Sequence, residues 1–331
     1  MSLSANNLHG GRLNAAVRRW GIPRSDWLDL STGISPWSWP VPAMPEEVWR
    51  RLPEDDDGLL AVCRRVLSLP DEAGCLPVPG SQMALQNLPR LRSPGRVGVP
   101  VPGYAEHGLA WSRQGHEVVA LAESAIDAAL PSLDVLVCIN PNNPTGTLFP
   151  WETLLRWHKA LASRGGWLVV DEAFMEACDG VSLVTQTHRP GLVVLRSLGK
   201  FYGLAGARAG LLLAPPALCE QMQILLGPWA LSHPARFLMA SALADTQWQQ
   251  QQKGRLRQAR QRLTALLADA GISSSGACDL FAWCPRADAF LCMERLARQG
   301  ILVREFREPA ALRIGLPASE DQWQRLARAL V

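Results

Sequence analysis

Runs of apolar residues, separated by stretches in which apolar and polar positions recur at helical spacing, fill the middle of the chain. The runs read 75–79 (CLPVP), 96–101 (RVGVPV), 116–121 (HEVVAL), 134–140 (DVLVCIN), 166–171 (GWLVVD), 192–197 (LVVLRS) and 210–214 (GLLLA). Continuous apolar runs of this length are the pattern of strands buried on both faces. Alternation with helical segments, such as those from Ser81 and over 104–115, predicts a doubly wound, mostly parallel α/β domain over 45–220. After residue 220 long polar helices take over, notably 248–271. Its glutamine and arginine run reads as a solvated helix face rather than an interaction tract. The tail reads as strand 282–283, helix 289–300, strands 301–306 and 311–317, and a last helix from Ser319 with Gln322 three residues on, a capping box. Residues 221–331 thus form a smaller α+β domain, joined by an N-terminal arm of residues 1–44.

Composition narrows the function by exclusion. A net charge of +3 over 331 residues, with no basic run interleaved with aromatics, argues against nucleic acid. The eight cysteines form no CxxC pair and have no histidine at ligand spacing, so no metal site is expected. Several lie in apolar runs, as buried thiols of a reducing compartment do. No apolar stretch approaches a membrane span and the first thirty residues hold no signal core, so a cytoplasmic protein without a membrane partner is expected.

Only three lysines stand against thirty arginines. One of them, Lys200, lies in the glycine-rich stretch SLGKFYGLAGARAG (197–210), where an arginine could supply charge but never a neutral amine. Ligands of such sheets sit beyond the carboxyl ends of the strands. There the chain places Gly80-Ser81-Gln82, either an ordinary strand-to-helix turn or a phosphate cradle. It places NPNNPTG (140–146), a rigid turn able to hold an amide still, and Asp171, either a helix cap or the counter-ion of a heterocyclic nitrogen. Ser197 and Arg208 supply an anion site around Lys200, whose amine a neighbouring guanidinium makes nucleophilic towards an aldehyde. A phosphorylated aldehyde whose ring nitrogen wants an aspartate is pyridoxal phosphate.

NPNNPTG, DEAF (171–174), SLGKFYGLAGARAG and the late LRIG (312–315) resemble the fold-type I pyridoxal phosphate enzymes of the class I/II aminotransferase superfamily. That resemblance implies that Lys200 binds the cofactor aldehyde and moves protons at the substrate Cα. It implies that Asp171 pairs with the ring nitrogen, Asn143 with the ring oxygen, and that Tyr104 stacks on the ring. Ser197, Arg208 and Gly80 to Gln82 hold the phosphate, and Arg313 takes the substrate α-carboxylate. Phe174 and Leu52 stand where many relatives carry tyrosines. A homodimer is implied as well.

The opening NNLHGG, the short basic helix after it, WLDLSTGISP (27–36) and RLPEDDDGL (51–59) are similar to one subfamily, the L-threonine-O-3-phosphate decarboxylases of cobalamin biosynthesis. The resemblance assigns His9 and Arg304 to the substrate phosphate, with Gly33, Asn143 and Arg313 completing the substrate site. Read from the residues alone, the bland alternatives are a loose terminus for His9 and an exposed strand for Arg304. The implied reaction is decarboxylation of threonine phosphate to 1-amino-2-propanol phosphate. The alternatives are a histidinol-phosphate-type aminotransferase and, more remotely, a catalytically idle cofactor-binding regulator or scaffold.

Overall fold

The computed structural model describes residues 9–330; the first eight residues of the N-terminal arm lie outside it. Twelve strands occur among the described residues. They are β1 (Leu28–Asp29), β2 (Gly74–Val78), β3 (Arg96–Pro100), β4 (Glu117–Leu121), β5 (Val135–Ile139), β6 (Trp167–Asp171), β7 (Leu192–Ser197), β8 (Gly210–Ala214), β9 (Phe281–Pro285), β10 (Ile301–Leu302), β11 (Arg304–Arg307) and β12 (Ala310–Gly315). Strands β2 to β8 build one sheet in the order β2-β8-β7-β6-β5-β3-β4. All neighbours run parallel except β8, which is antiparallel to both β2 and β7. The reason is length: residues 198–209 contain no crossover helix, so the chain turns back beside β7 instead of crossing the sheet.

Central strands β5, β7 and β8 are apolar because helices cover both faces. Leu136, Val137, Val193 and Leu212 are fully buried on them. A second sheet, β11-β12-β9, is antiparallel. The run 301–306 is not one strand, as its apolar start suggests, but two. Ile301 and Leu302 pair in parallel with Leu28 and Asp29 of the N-terminal segment, whereas Arg304 to Arg307 pair with β12. Buried Val303 marks the change of partner, so the split is a tertiary choice that the local pattern does not carry.

In the helix Thr246–Asp269 most glutamines and arginines face outward, but Gln252 is buried and donates from Nε2 to Ser35 Oγ at 2.7 Å. At the last helix Ser319 Oγ accepts Gln322 N–H at 3.4 Å, while Gln322 Oε1 accepts the N–H of Ala318, one residue before the expected cap. No described helix is long and apolar enough to cross a membrane. Among the described residues no group of three or more His, Cys, Asp or Glu side chains could hold a metal ion.

Candidate active site

The first residue of β8 organises one wall of the site. Gly210 pairs with Val78 on one side and with Ser197 on the other, which brings the ends of β2 and β7 together. A Cβ on Gly210 would lie 2.5 Å from Ser81 N, so only glycine permits this approach. Gly80, at φ 75°, faces Arg208, and a Cβ there would sit 2.7 Å from Arg208 Nη2. Gly80, Ser81, Gln82, Ser197 and Arg208 thereby form one cradle. It contains helix-opening N–H groups, a hydroxyl and a guanidinium, the donor set that anions select.

Lys200 follows the end of β7, with its carbonyl accepting Ser35 N–H at 2.9 Å. Its Nζ lies 5.7 Å from the centre of the Phe174 ring. Burial, then the charges of Arg313 and Arg208, push its pKa down to about 8 against the opposing pull of Asp171. The amine is therefore available as a nucleophile close to neutrality. Asp171, at the end of β6, is buried. Its Oδ1 accepts Ala173 N–H at 3.0 Å and its Oδ2 lies 3.0 Å from His107 Nε2. His107 is itself buried and is a residue that sequence reasoning missed. It stands three residues after Tyr104 across the first turn of the helix Ala105–Arg113, so both rings point the same way, edge to face at 6.1 Å. That spacing was the available signal. The Tyr104 hydroxyl donates to Gln82 Oε1 at 2.9 Å, and burial first, then Glu106 and Asp171, pushes its pKa up to about 12.

The opposite wall comes from the second sheet. Arg313 is 7% exposed; its Nη1 donates to Asn143 Oδ1 and its Nη2 to the Ser31 carbonyl, both at 2.6 Å. Nε is buried without a partner among the described residues. Burial, then the charge of Arg304, draws the Arg313 pKa down to about 10. Arg304 is its direct cross-strand neighbour, half-buried, with its guanidinium 5.3 Å from the Phe306 ring centre. Gly33 packs so tightly that a Cβ would lie 2.8 Å from Phe174 Cε1. His9 reaches the site from the tyrosine side, with its ring 5.8 Å from Tyr104 and Nε2 3.0 Å from Glu106 Oε1. Thus Lys200, Asp171, Asn143, Arg313, Gly33 and the cradle converge, with Arg304 beside Arg313. His9 engages Glu106 rather than Arg304.

The donors suit pyridoxal phosphate: an amine for the aldehyde, a buried carboxylate for the ring nitrogen and the unused Asn143 Nδ2 for the ring oxygen. The cradle, which a single Cβ at Gly80 would fill, suits its phosphate. A mostly parallel sheet with these groups at its strand ends defines an enzyme that works through a bound aldehyde cofactor. The chain belongs to the aminotransferase class I and II family, whose model matches residues 61–330, and its cofactor is pyridoxal phosphate. It is 51% identical to the threonine-phosphate decarboxylase of Pseudomonas aeruginosa over 98% of this chain and 97% of that one. It is 38% identical to the threonine-phosphate decarboxylase of a Sinorhizobium species, over 99% and 98%. Among solved structures, the histidinol-phosphate aminotransferase of Clostridium acetobutylicum shares the fold, with a TM-score of 0.80 at 21% identity, covering 92% of this chain and 98% of its own.

Proposed function

We propose that this enzyme decarboxylates L-threonine O-3-phosphate to (R)-1-amino-2-propanol O-2-phosphate, a step of cobalamin biosynthesis. The observation that carries the reading is the pair Arg304 and Arg313, two arginines paired directly opposite each other on adjacent strands. Two like charges so placed call for a substrate with two anions on neighbouring carbons. Threonine phosphate has them, a carboxylate on Cα and a phosphate on Cβ. Histidinol phosphate has a phosphate and no carboxylate. Identities of 51% and 38% to two threonine-phosphate decarboxylases support the same reading.

When bound, pyridoxal phosphate supplies the sink for the electron pair left at Cα as the carboxylate departs. The protein does the rest. Asp171, steadied by His107, keeps negative charge at the ring nitrogen. Asn143 meets the ring oxygen while its own carbonyl oxygen steadies Arg313. Phe174 adds no hydroxyl there. Tyr104 covers the ring, and the cradle of Gly80, Ser81, Gln82, Ser197 and Arg208 holds the cofactor phosphate. Arg313 and the wall at Gly33 would hold the substrate carboxylate, while His9 and Arg304 would take the distal phosphate, which would fix rotation about Cα through a remote group. Lys200 then delivers a proton to Cα. The arm (1–44), cofactor-binding domain (45–220) and small domain (221–331) belong to this reading, as do a cytoplasmic location and a homodimer. A dimer would cover exposed Trp49, Leu52, Ile224 and Trp229.

The test is carbon dioxide release from L-threonine O-3-phosphate, with and without a 2-oxo acid. Release independent of the oxo acid is expected; an absolute requirement for it would overturn the choice in favour of transamination.

A further inference from the structure

Arg313 uses the carbonyl of Ser31, but the Ser31 hydroxyl has no part in the chemistry above. It is buried and fully engaged: Oγ donates to Asp29 Oδ1 at 2.6 Å and accepts Gly11 N–H at 2.7 Å. The same Asp29 oxygen accepts Ser31 N–H at 2.9 Å. With its hydrogen committed to a carboxylate, the hydroxyl presents its lone pairs to Gly11 and accepts more strongly than a free serine would.

The residues around Ser31 give this bond a direction. Asp29 belongs to β1, which is paired with β10, and the Leu30 carbonyl accepts Gly315 N–H at 2.8 Å, at the end of the strand carrying Arg313. Ser31 is therefore tied to the substrate wall on one side. On the other it holds a strap, residues 9–12. Gly10 passes so close that any Cβ there would overlap the Ser31 carbonyl oxygen, and Gly11, at φ 76°, completes the bend. One end of the strap is His9, beside Tyr104. Arg12 at the other end lies close enough that its charge, together with the larger effect of burial, draws the Arg304 pKa down against Glu305.

We infer that Ser31 is a positioning residue that seats the N-terminal strap on the substrate wall, so that the group held by Arg313 and the phosphate met by His9 are read as one ligand. This rests on the phosphate role given to His9 above. Ser31→Ala keeps the carbonyl under Arg313 and removes the acceptor for Gly11 together with the donor to Asp29, whose Oδ1 still accepts Ser31 N–H. Gly11→Ala strains the same strap at its φ 76° bend, where a Cβ meets only the Thr32 methyl at 3.2 Å and leaves the Ser31 carbonyl untouched, so it tests the idea even if Ser31→Ala folds poorly.

The readout is affinity in the holoenzyme, taken from the cofactor absorbance change on rapid mixing with L-threonine O-3-phosphate or with L-threonine. Either substitution should weaken the phosphorylated ligand roughly tenfold, the scale of one lost buried hydrogen bond, and L-threonine by less than about twofold. Adding Ser31→Ala to His9→Ala should cost nothing further for the phosphorylated ligand, since contacts acting through one another are not additive. Equal losses for both ligands, or full additivity with His9→Ala, would make Ser31 a structural residue and overturn the inference. Coupling between Ser31 and His9 without carbon dioxide release would uphold it while sinking the decarboxylase reading alone.

Discussion

Lys200 offers a test of the site that needs neither substrate nor cofactor. Its pKa in the folded chain is pushed from 10.5 down to about 8, by burial first and then by Arg313 and Arg208. A lysine depressed in this way opposes folding, because the unfolded chain binds the proton more tightly. Stability therefore rises with pH between about 8 and 10.5, the cost being complete below that window and gone above it. A gap of about 2.5 in pKa corresponds to about 3 kcal/mol at pH 7 and to less than about 1 kcal/mol at pH 10. Lys200→Met keeps the length of the side chain and removes the charge. Cofactor-free Lys200→Met should thus unfold at higher urea than the cofactor-free parent at pH 7, with most of that advantage lost at pH 10. Urea midpoints at both pH values, with unchanged m, measure it. An equal gain at both would assign the effect to methionine packing, and a loss at pH 7 would refute the argument that burial holds the amine near neutrality.

Two further outcomes follow from particular contacts. His107→Phe leaves Asp171 Oδ2 without its partner at 3.0 Å, so turnover should fall roughly 10- to 100-fold, and the visible band of the bound cofactor should move and titrate differently; a slower enzyme with an unchanged spectrum would mean that His107 only fills space. Arg304→Gln should weaken L-threonine O-3-phosphate by roughly 10- to 100-fold, the range for a charge-assisted bond, and leave L-threonine nearly unchanged. Parallel losses for the two ligands would remove Arg304 from the phosphate subsite.

What the chain discloses before folding depends on where each residue stands. Asp171, Lys200 and Gly80 stand at or just after the end of an apolar run, and the carboxyl ends of strands are where an α/β sheet holds ligands, so position made them legible, whereas Asn143 was singled out among the asparagines of 140–146 only by the family resemblance. The turning back of β8 was hidden because an apolar strand reads the same in either direction. His107 and Ser31 were hidden for another reason. Beyond its spacing from Tyr104, nothing local distinguishes a helix histidine that meets Asp171, 64 residues away, from one packed in the core, and Ser31 acquires its role only when Gly11 and Asp29 close on it from two sides. The split at Val303 belongs with these, since a continuous apolar-to-basic run records no change of partner.

Register on β12 joins these pieces. Arg313 stands opposite Trp283 on β9 and Arg304 on β11, while its neighbours Leu312 and Ile314 are fully buried. Successive strand residues face opposite sides, so a slip of one position would bury the guanidinium in the apolar layer and turn a leucine or isoleucine towards Asn143. The apolar residues thus fix the aim of Arg313 towards Asn143. The strand then ends on Gly315, where a Cβ would lie 2.8 Å from the Thr32 carbonyl oxygen. Only glycine lets the segment carrying Ser31 dock against the strand end, and Ser31 in turn receives Arg313 through its carbonyl and the strap through its hydroxyl. A residue larger than glycine at 315 would therefore disturb both the hold of Ser31 on Arg313 and the seating of the strap that ends at His9, although it touches neither.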